Sequence, residues 1–175
     1  MLCAILVADG VFSSGFTLLH DTLSVAEVLR HTHDPAVPEI RVMVVGEQPI
    51  VRTGSGLAIP TTARLDDLAA ADVVVVPALG ALDESGMVDA LDRPGTSRMA
   101  SALADLDRSS GLVAAACTGT FVLAEAGLLS GRRATTSWWL NSLFARRYPD
   151  TELDADRMVV KDRDVLTAGA AFAHI

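Results

Sequence analysis

Continuous apolar runs that alternate with helix-like segments constrain the fold of this chain more than any other feature. Three runs are apolar at nearly every position: "LCAILVA" (Leu2–Ala8), "ADVVVVPALG" (Ala71–Gly80) and "GLVAAAC" (Gly111–Cys117). Strands buried on both faces have this composition, whereas a strand with one face in water alternates apolar and polar residues. The sequence therefore predicts an α/β fold, a three-layer sandwich in which helices flank a mostly parallel, doubly wound sheet.

The remaining elements fit the same alternation. Apolar residues at near-helical spacing predict a first helix in "FTLLHDTLSVAEVLRH". Pro149 is expected to end a later helix, and Gly54 to Gly56 to form the turn of a small β-hairpin in "PIVRTGSGLAIPTT". Further predicted elements are a strand at "IRVMVVG", a helix from about Met99 to Arg108, a helix in "TGTFVLAEAGLL" closed by Gly131, and two final strands in "DRMVVKDRDVLTAG".

Length and charge narrow the classes of function. The 175 residues contain no internal repeat or linker, which predicts one domain over residues 1–175. The formal net charge of −8 argues against direct nucleic-acid binding, which normally requires a basic face. No apolar stretch is long enough to span a bilayer. The two cysteines form no disulfide framework and no signal peptide precedes them, so we expect a cytoplasmic protein.

The end of the sequence predicts a longer protein. "TAGAAFAHI" begins an apolar, alanine-rich pattern that is too short for a stable helix. We therefore expect the domain to continue into one closing helix in the native gene product.

Cys117 is the main candidate for chemistry. It follows the strand "GLVAAAC" and precedes a helical pattern, so its sulfur is expected on a strand-to-helix turn. Helix N-terminal amides stabilise a thiolate, and the backbone N–H of Thr118 with one from the Ala78–Gly80 turn would form an oxyanion hole. On spacing alone, a buried cysteine with a purely structural role is an equally good interpretation of Cys117. We expect neither a cofactor nor a metal, because the pair His31 and His33 diverges on a helix and lacks a third ligand.

Four segments closely resemble the ThiJ/PfpI superfamily, within the class-I glutamine amidotransferase-like fold. They are "HDTLSVAEVL", "VVVVPALG", "ACTGTFVLAEAGLLSGRRATTSWW" and "RRYPDTELDADRMVVKDRDVLTAGAAFAHI", and the resemblance covers essentially the whole chain. Two kinds of member are most similar: the N-terminal domain of AraC-family transcriptional regulators, which precedes a helix-turn-helix module, and isocyanide hydratase, a stand-alone enzyme.

The resemblance implies roles for individual residues. Cys117 matches the reactive cysteine, Asp21 its acidic partner, and Thr118 a threonine that contacts substrate in the hydratase. The family often has a histidine where this chain has Ser137. Serine does not titrate near neutral pH and cannot exchange a proton with the thiol, so we do not expect amidase or protease chemistry of the Cys–His kind. The resemblance also implies that the loop of Ala78, Leu79 and Gly80, together with Ser137 and Trp138, lines a ligand pocket.

Simpler structural roles stay open for these residues. Asp21 and Thr118 are typical helix N-caps, and a cap is compatible with a role in the site. At least one of Trp138 and Trp139 is expected to serve in packing. His20 is a possible substitute base, although its position next to Asp21 directs it elsewhere.

The favoured function is a ligand-sensing, dimerising domain of an AraC-family regulator, with DNA contacted only through a segment absent from this chain. Such regulators need two-fold symmetry to meet a two-part operator, which predicts a homodimer with a small-molecule ligand. The alternative is an isocyanide hydratase that uses Cys117, Asp21 and Thr118. A third hypothesis is redox sensing, in which Cys117 is oxidised to a sulfinic acid.

Overall fold

A six-stranded, mostly parallel sheet forms the centre of the molecule. A computed structural model describes residues 1–106 and 111–169. The strand order is β2-β1-β5-β6-β10-β9, and only the edge strand β9 runs antiparallel, to β10. The strands are β1 Leu2–Leu6, β2 Arg41–Val45, β5 Val73–Val76, β6 Leu112–Ala116, β9 Val159–Asp162 and β10 Val165–Ala168.

The pairing register of the strands explains why the strand sequences are apolar at nearly every position. Ala4 of β1 pairs with Val74, Val74 with Val113, and Val113 with Val165, so four neighbouring strands carry a buried row on one face. The next residue of β1, Ile5, points to the opposite face because side chains alternate along a strand. Both faces of β1 are buried, which explains why its sequence shows no polar alternation.

Helix α1, Ser13–His33, covers one face of the sheet near β1 and β2. Its Phe16 packs in a cluster with Ile5, Val7 and Val44. Two short strands, β3 Ile50–Arg52 and β4 Ala58–Pro60, form the predicted hairpin and contribute Val51 and Ile59 to the same cluster.

The other face carries the larger core. Ala4, Leu6, Val74 and Val113 contact side chains of four helices there. These helices are α2 Glu84–Leu91, α3 Pro94–Ala104, α4 Gly119–Glu125 and α5 Asn141–Arg147. The helices therefore form layers on both sides of the sheet, which confirms the predicted three-layer α/β class.

Several predicted boundaries differ from the structure. The helix after Cys117 ends at Glu125 rather than near Gly131, because Gly127 adopts a φ of +72° and turns the chain. Helix α3 begins at Pro94, before the predicted Met99, and the predicted end at Arg108 lies outside the described residues.

Neither α2 nor the 3-10 helix Leu65–Ala70 has a counterpart in the predictions. A short strand was expected in "ATTSWWLNSLFARRYP", and β7 Arg133–Ala134 lies at its start, paired in parallel with the unpredicted β8 Glu152–Leu153. A further 3-10 helix, Trp138–Leu140, leads into α5. Within the described ranges, no helix is long and apolar enough to cross a membrane.

Candidate functional site

Cys117 lies on the sharp turn between β6 and α4. Its φ is +57°, in the left-handed region that non-glycine residues rarely occupy. The Cys117 N–H donates to the carbonyl of Ala168 at 2.6 Å, and its own carbonyl accepts from Thr136 Oγ1 at 2.9 Å. Neighbouring strands and loops therefore hold this strained residue in position.

Gly119 allows α4 to approach the end of β5 closely. A Cβ at this position would lie 2.5 Å from the carbonyl oxygen of Val76 and 2.6 Å from that of Pro77. Any side chain there would push the helix away from the sheet and open the turn at Cys117. The third residue of the Cys-Thr-Gly sequence must therefore be glycine for steric reasons.

Ser137 is the polar neighbour of the thiol. Its Oγ lies 3.3 Å from Cys117 Sγ, which donates the hydrogen bond, and Ser137 is fully buried. The position at which the family often has a histidine is therefore adjacent to the sulfur. The hydroxyl orients the thiol but supplies no base.

The space beside Cys117 is small and apolar. It has a volume of about 10 Å³, which is room for one water molecule at most. Phe12, Ala78 and Trp139 pack against the sulfur, which is itself 2% exposed. Among the described residues that line this space, none besides Cys117 has a titratable side chain. In this conformation the thiol reaches neither bulk water nor a ligand of several heavy atoms.

Thr118 joins the turn to the "PALG" loop. Its buried Oγ1 donates to the carbonyl of Leu79 at 2.8 Å and does not cap α4. The Gly80 N–H donates to the carbonyl of Gly10 at 2.8 Å, so that amide is already used. Ala78, Leu79 and Gly80 do line the small cavity, next to Cys117 and Thr118.

The structure does not bring Asp21 to Cys117. Asp21 lies about two turns into α1, so it is not an N-cap, and its side chain is 77% exposed. Its carboxylate is 3.7 Å from Nδ1 of His20. The α1 residue Gly15 does lie near the "PALG" loop, since a Cβ there would be 3.8 Å from the Cβ of Ala78.

The tryptophan that lines the cavity is Trp139 rather than Trp138. Trp138 is 74% exposed, and its ring stands edge-on to that of Trp139 with centroids 5.7 Å apart. The 3-10 helix over these residues rotates consecutive side chains by about 120°, which directs one inward and the other to solvent.

Two neighbours of the turn, Phe12 and Thr136, were not predicted from the sequence. Phe12 is the N-cap of α1, and its N–H donates to the carbonyl of Ala78 at 2.7 Å. The signal available in the sequence was "DGVFSSG", since a loop after the first strand lies at the same sheet edge as Cys117. The described residues contain no group of three His, Cys, Asp or Glu side chains arranged to hold a metal ion.

The fold and the Cys117 turn are those of an α/β domain that has a cysteine between a central strand and the helix that follows it. The chain belongs to the DJ-1/PfpI family, whose sequence profile matches residues 3–175.

Three proteins are similar in sequence to parts of this chain. An uncharacterised protein of Streptomyces lividans, from the region 5' of cpoL, is 39% identical over 57% of this chain and 64% of its own length. Isonitrile hydratase of Pseudomonas putida is 30% identical over 80% of this chain and 57% of the enzyme. The HTH-type transcriptional regulator CdhR of Pseudomonas aeruginosa is 37% identical over 38% of this chain and 20% of the regulator. The chain thus matches less than two thirds of the length of each relative.

Solved structures share the fold at low sequence identity. An AraC family transcriptional regulator from Pseudomonas putida superposes with a TM-score of 0.75 at 20% identity, over 97% of this chain and 84% of that one. A putative transcriptional regulator from Vibrio parahaemolyticus gives a TM-score of 0.76 at 18% identity, over 99% and 86% of the two chains. These similarities establish the architecture.

Proposed function

We propose that this DJ-1/PfpI domain is the ligand-sensing, dimerising domain of an AraC-family transcriptional regulator and has no strong catalytic activity. One observation carries the proposal: the strand-to-helix turn presents a thiol that has a serine neighbour, no titratable partner among the described lining residues, and space for one water. General acid–base chemistry needs a titratable group within hydrogen-bond reach of the reacting atoms.

Sequence and structural similarity to regulators supports the same proposal. Both the 37% identity to CdhR and the superposition on an AraC family regulator concern proteins named for transcription. The net charge of −8 is unfavourable for DNA binding by this domain itself. DNA would be contacted by a separate, basic segment.

The coding frame tests the regulatory part of the proposal. We expect the DNA downstream of the Ile175 codon to encode about 100 further residues with two helix-turn-helix patterns and a basic charge balance. A stop codon within about 50 residues would contradict a regulator of this architecture.

Isonitrile hydratase is the second candidate because 80% of this chain aligns with that enzyme at 30% identity. The hydratase hypothesis requires Cys117 and an acid to act on one carbon atom. The exposed position of Asp21, away from the residues around Cys117, weighs against it.

Turnover of an alkyl isocyanide decides between the two candidates. The purified chain is incubated with the isocyanide and formamide is quantified by mass spectrometry, with Cys117→Ala and Asp21→Ala as matched variants. We expect the same background rate in all three proteins. Formamide production by the wild-type chain that disappears in both variants would establish hydratase activity. It would contradict the proposal that the domain has no strong catalytic activity.

A further inference from the structure

A second cavity lies at the carboxyl ends of β1 and β2, away from Cys117. Its volume is about 350 Å³, within the range of small-molecule sites and far larger than the space beside the thiol. Val7 and Ala8, which directly follow β1, form the floor, and the first turn of α3 forms one wall. In open α/β sheets, ligands bind at this edge.

The first turn of α3 presents unused donors to this cavity. The helix begins at Pro94, which has no N–H, and its N-cap residue Arg93 gives no side-chain cap. The N–H groups of Gly95 and Thr96 consequently have no partner within the helix. Helix N-terminal amides carry a partial positive charge and attract anions.

Thr96 provides an independent sign of a missing ligand. The residue lines the cavity and is 2% exposed, and its Oγ1 has no hydrogen-bond partner among the described residues. A buried hydroxyl without a partner is unfavourable by itself, because it has lost its water and gained nothing. An acceptor atom bound in the cavity would satisfy it.

The four charged side chains around the cavity sum to zero but are not all paired. Arg93 donates to the carbonyl of Asp9 at 3.4 Å and pairs with no carboxylate among the described residues. Of the two carboxylates that line the cavity, Glu47 forms an ion pair with Arg98 and Asp9 accepts the Arg52 N–H at 2.7 Å. Neither Asp9 nor Arg93 has an ion-pair partner among the described residues, and the positive potential at the α3 end of the cavity comes from Arg93 and the helix terminus.

We propose that this cavity, between β1, β2 and the N-terminus of α3, binds the carboxylate or phosphate group of a small metabolite. Oxygen atoms of the ligand would accept hydrogen bonds from the N–H groups of Gly95 and Thr96, from Thr96 Oγ1 and from the Arg93 guanidinium. The site uses none of the elements around Cys117, so it does not depend on the regulatory role proposed above.

Binding of simple oxyanions to the full chain tests the site. Inorganic phosphate and, separately, acetate are titrated at constant ionic strength while the thermal unfolding midpoint and the calorimetric heat are recorded. We expect saturable binding of at least one anion. Saturation by phosphate alone identifies a phosphate ligand and saturation by acetate alone a carboxylate, whereas no saturable binding of either overturns the proposal.

Three variants separate specific binding from general salt effects. Arg93→Gln should weaken binding tenfold or more, and Thr96→Val about three- to tenfold. Thr96→Val should leave the unfolding midpoint without anion unchanged or higher, since the hydroxyl has no partner to lose. Arg41→Gln, at the opposite end of β2, is the matched control and should bind as the wild type does. Equal affinity in all four proteins would overturn the proposal.

Discussion

At the scale of single residues, the packing of aromatic side chains over Cys117 controls access to its thiol. Phe12 and Trp139 close the space beside the sulfur. We expect a thiol reagent to modify Cys117 slowly in the native protein and at least about tenfold faster in Trp139→Ala, because labelling of a buried thiol requires local opening. The rate is measured by peptide mass spectrometry after timed exposure to iodoacetamide.

Two controls accompany the labelling experiment. Cys3 is 1% exposed, and burial raises its pKa, so its labelling should stay slow in both proteins. Trp138→Ala removes an exposed neighbour of the same chemistry and should leave the Cys117 rate unchanged. Fast labelling of Cys117 in the unmodified protein would mean that the site opens readily, contrary to the closed cavity.

Glu27 makes stability depend on pH. Its carboxylate accepts from Nε and Nη2 of Arg30 at 2.8 and 2.7 Å and from the Ile40 N–H at 2.7 Å. The hydrogen bonds from Arg30, followed by that from Ile40, lower the pKa of Glu27 to about 2. A glutamate in the unfolded chain titrates near about 4.3. Its stabilisation is therefore complete above that value and is lost as the pH falls through the folded pKa.

We expect Glu27→Gln to lower the urea midpoint at pH 7 and to differ little from the wild type at pH 2. Urea titrations at several pH values between these limits measure the convergence. Glu39→Gln, an exposed glutamate in the same region, is the matched control and should follow the wild type throughout. A difference between Glu27→Gln and wild type that is independent of pH would refute a role for this titration.

At the scale of elements, α4 anchors the turn that carries Cys117. Phe121 is fully buried, and its ring meets those of Phe144 and Tyr148 at centroid distances of 5.0 and 5.9 Å. Phe121→Ala should destabilise the fold by about 3–5 kcal/mol, because it leaves a cavity that the surroundings cannot fill. Urea unfolding measures the loss. Trp138→Ala, at an exposed aromatic, should change stability by no more than about 0.5 kcal/mol.

Elements with a strong periodic signal were predictable, and those set by tertiary contacts were not. The apolar runs identified β1, β5 and β6, since strands buried on both faces leave an unambiguous composition. The predicted start of α1 at Phe16 was three residues late because the helix begins at Ser13 without a side-chain cap in the sequence. The earlier start places Asp21 about two turns into α1, where its side chain is 77% exposed.

The candidate site was predictable only in part for the same reason. Cys117 and Ser137 could be assigned because each follows a strand within a recognisable motif, and the structure has them in contact. Phe12 and Trp139 could not, since nothing local in the sequence determines which of two neighbouring side chains of a short 3-10 helix turns inward. The closed cavity is a consequence of these two rings.

At the scale of the whole molecule, α1 presents an apolar surface that suits association of two copies. Leu18, Val25 and Leu29 recur at intervals of seven and four residues and are 41–55% exposed. This spacing brings the three side chains onto one face of the helix, as in a helix-packing seam. An exposed apolar row of this kind favours association with another protein surface.

We therefore expect a homodimer that buries this face of α1. In a two-fold symmetric interface each substitution occurs twice, so Val25→Arg brings two like charges into the contact and should weaken dimerisation about a hundredfold or more. Sedimentation equilibrium over a range of micromolar concentrations measures the dissociation constant. Ser24→Arg adds the same charge at the adjacent exposed residue, outside the apolar row, and should leave the dimer intact. A wild-type chain that stays monomeric throughout the range would remove the two-fold symmetry on which the regulator hypothesis depends.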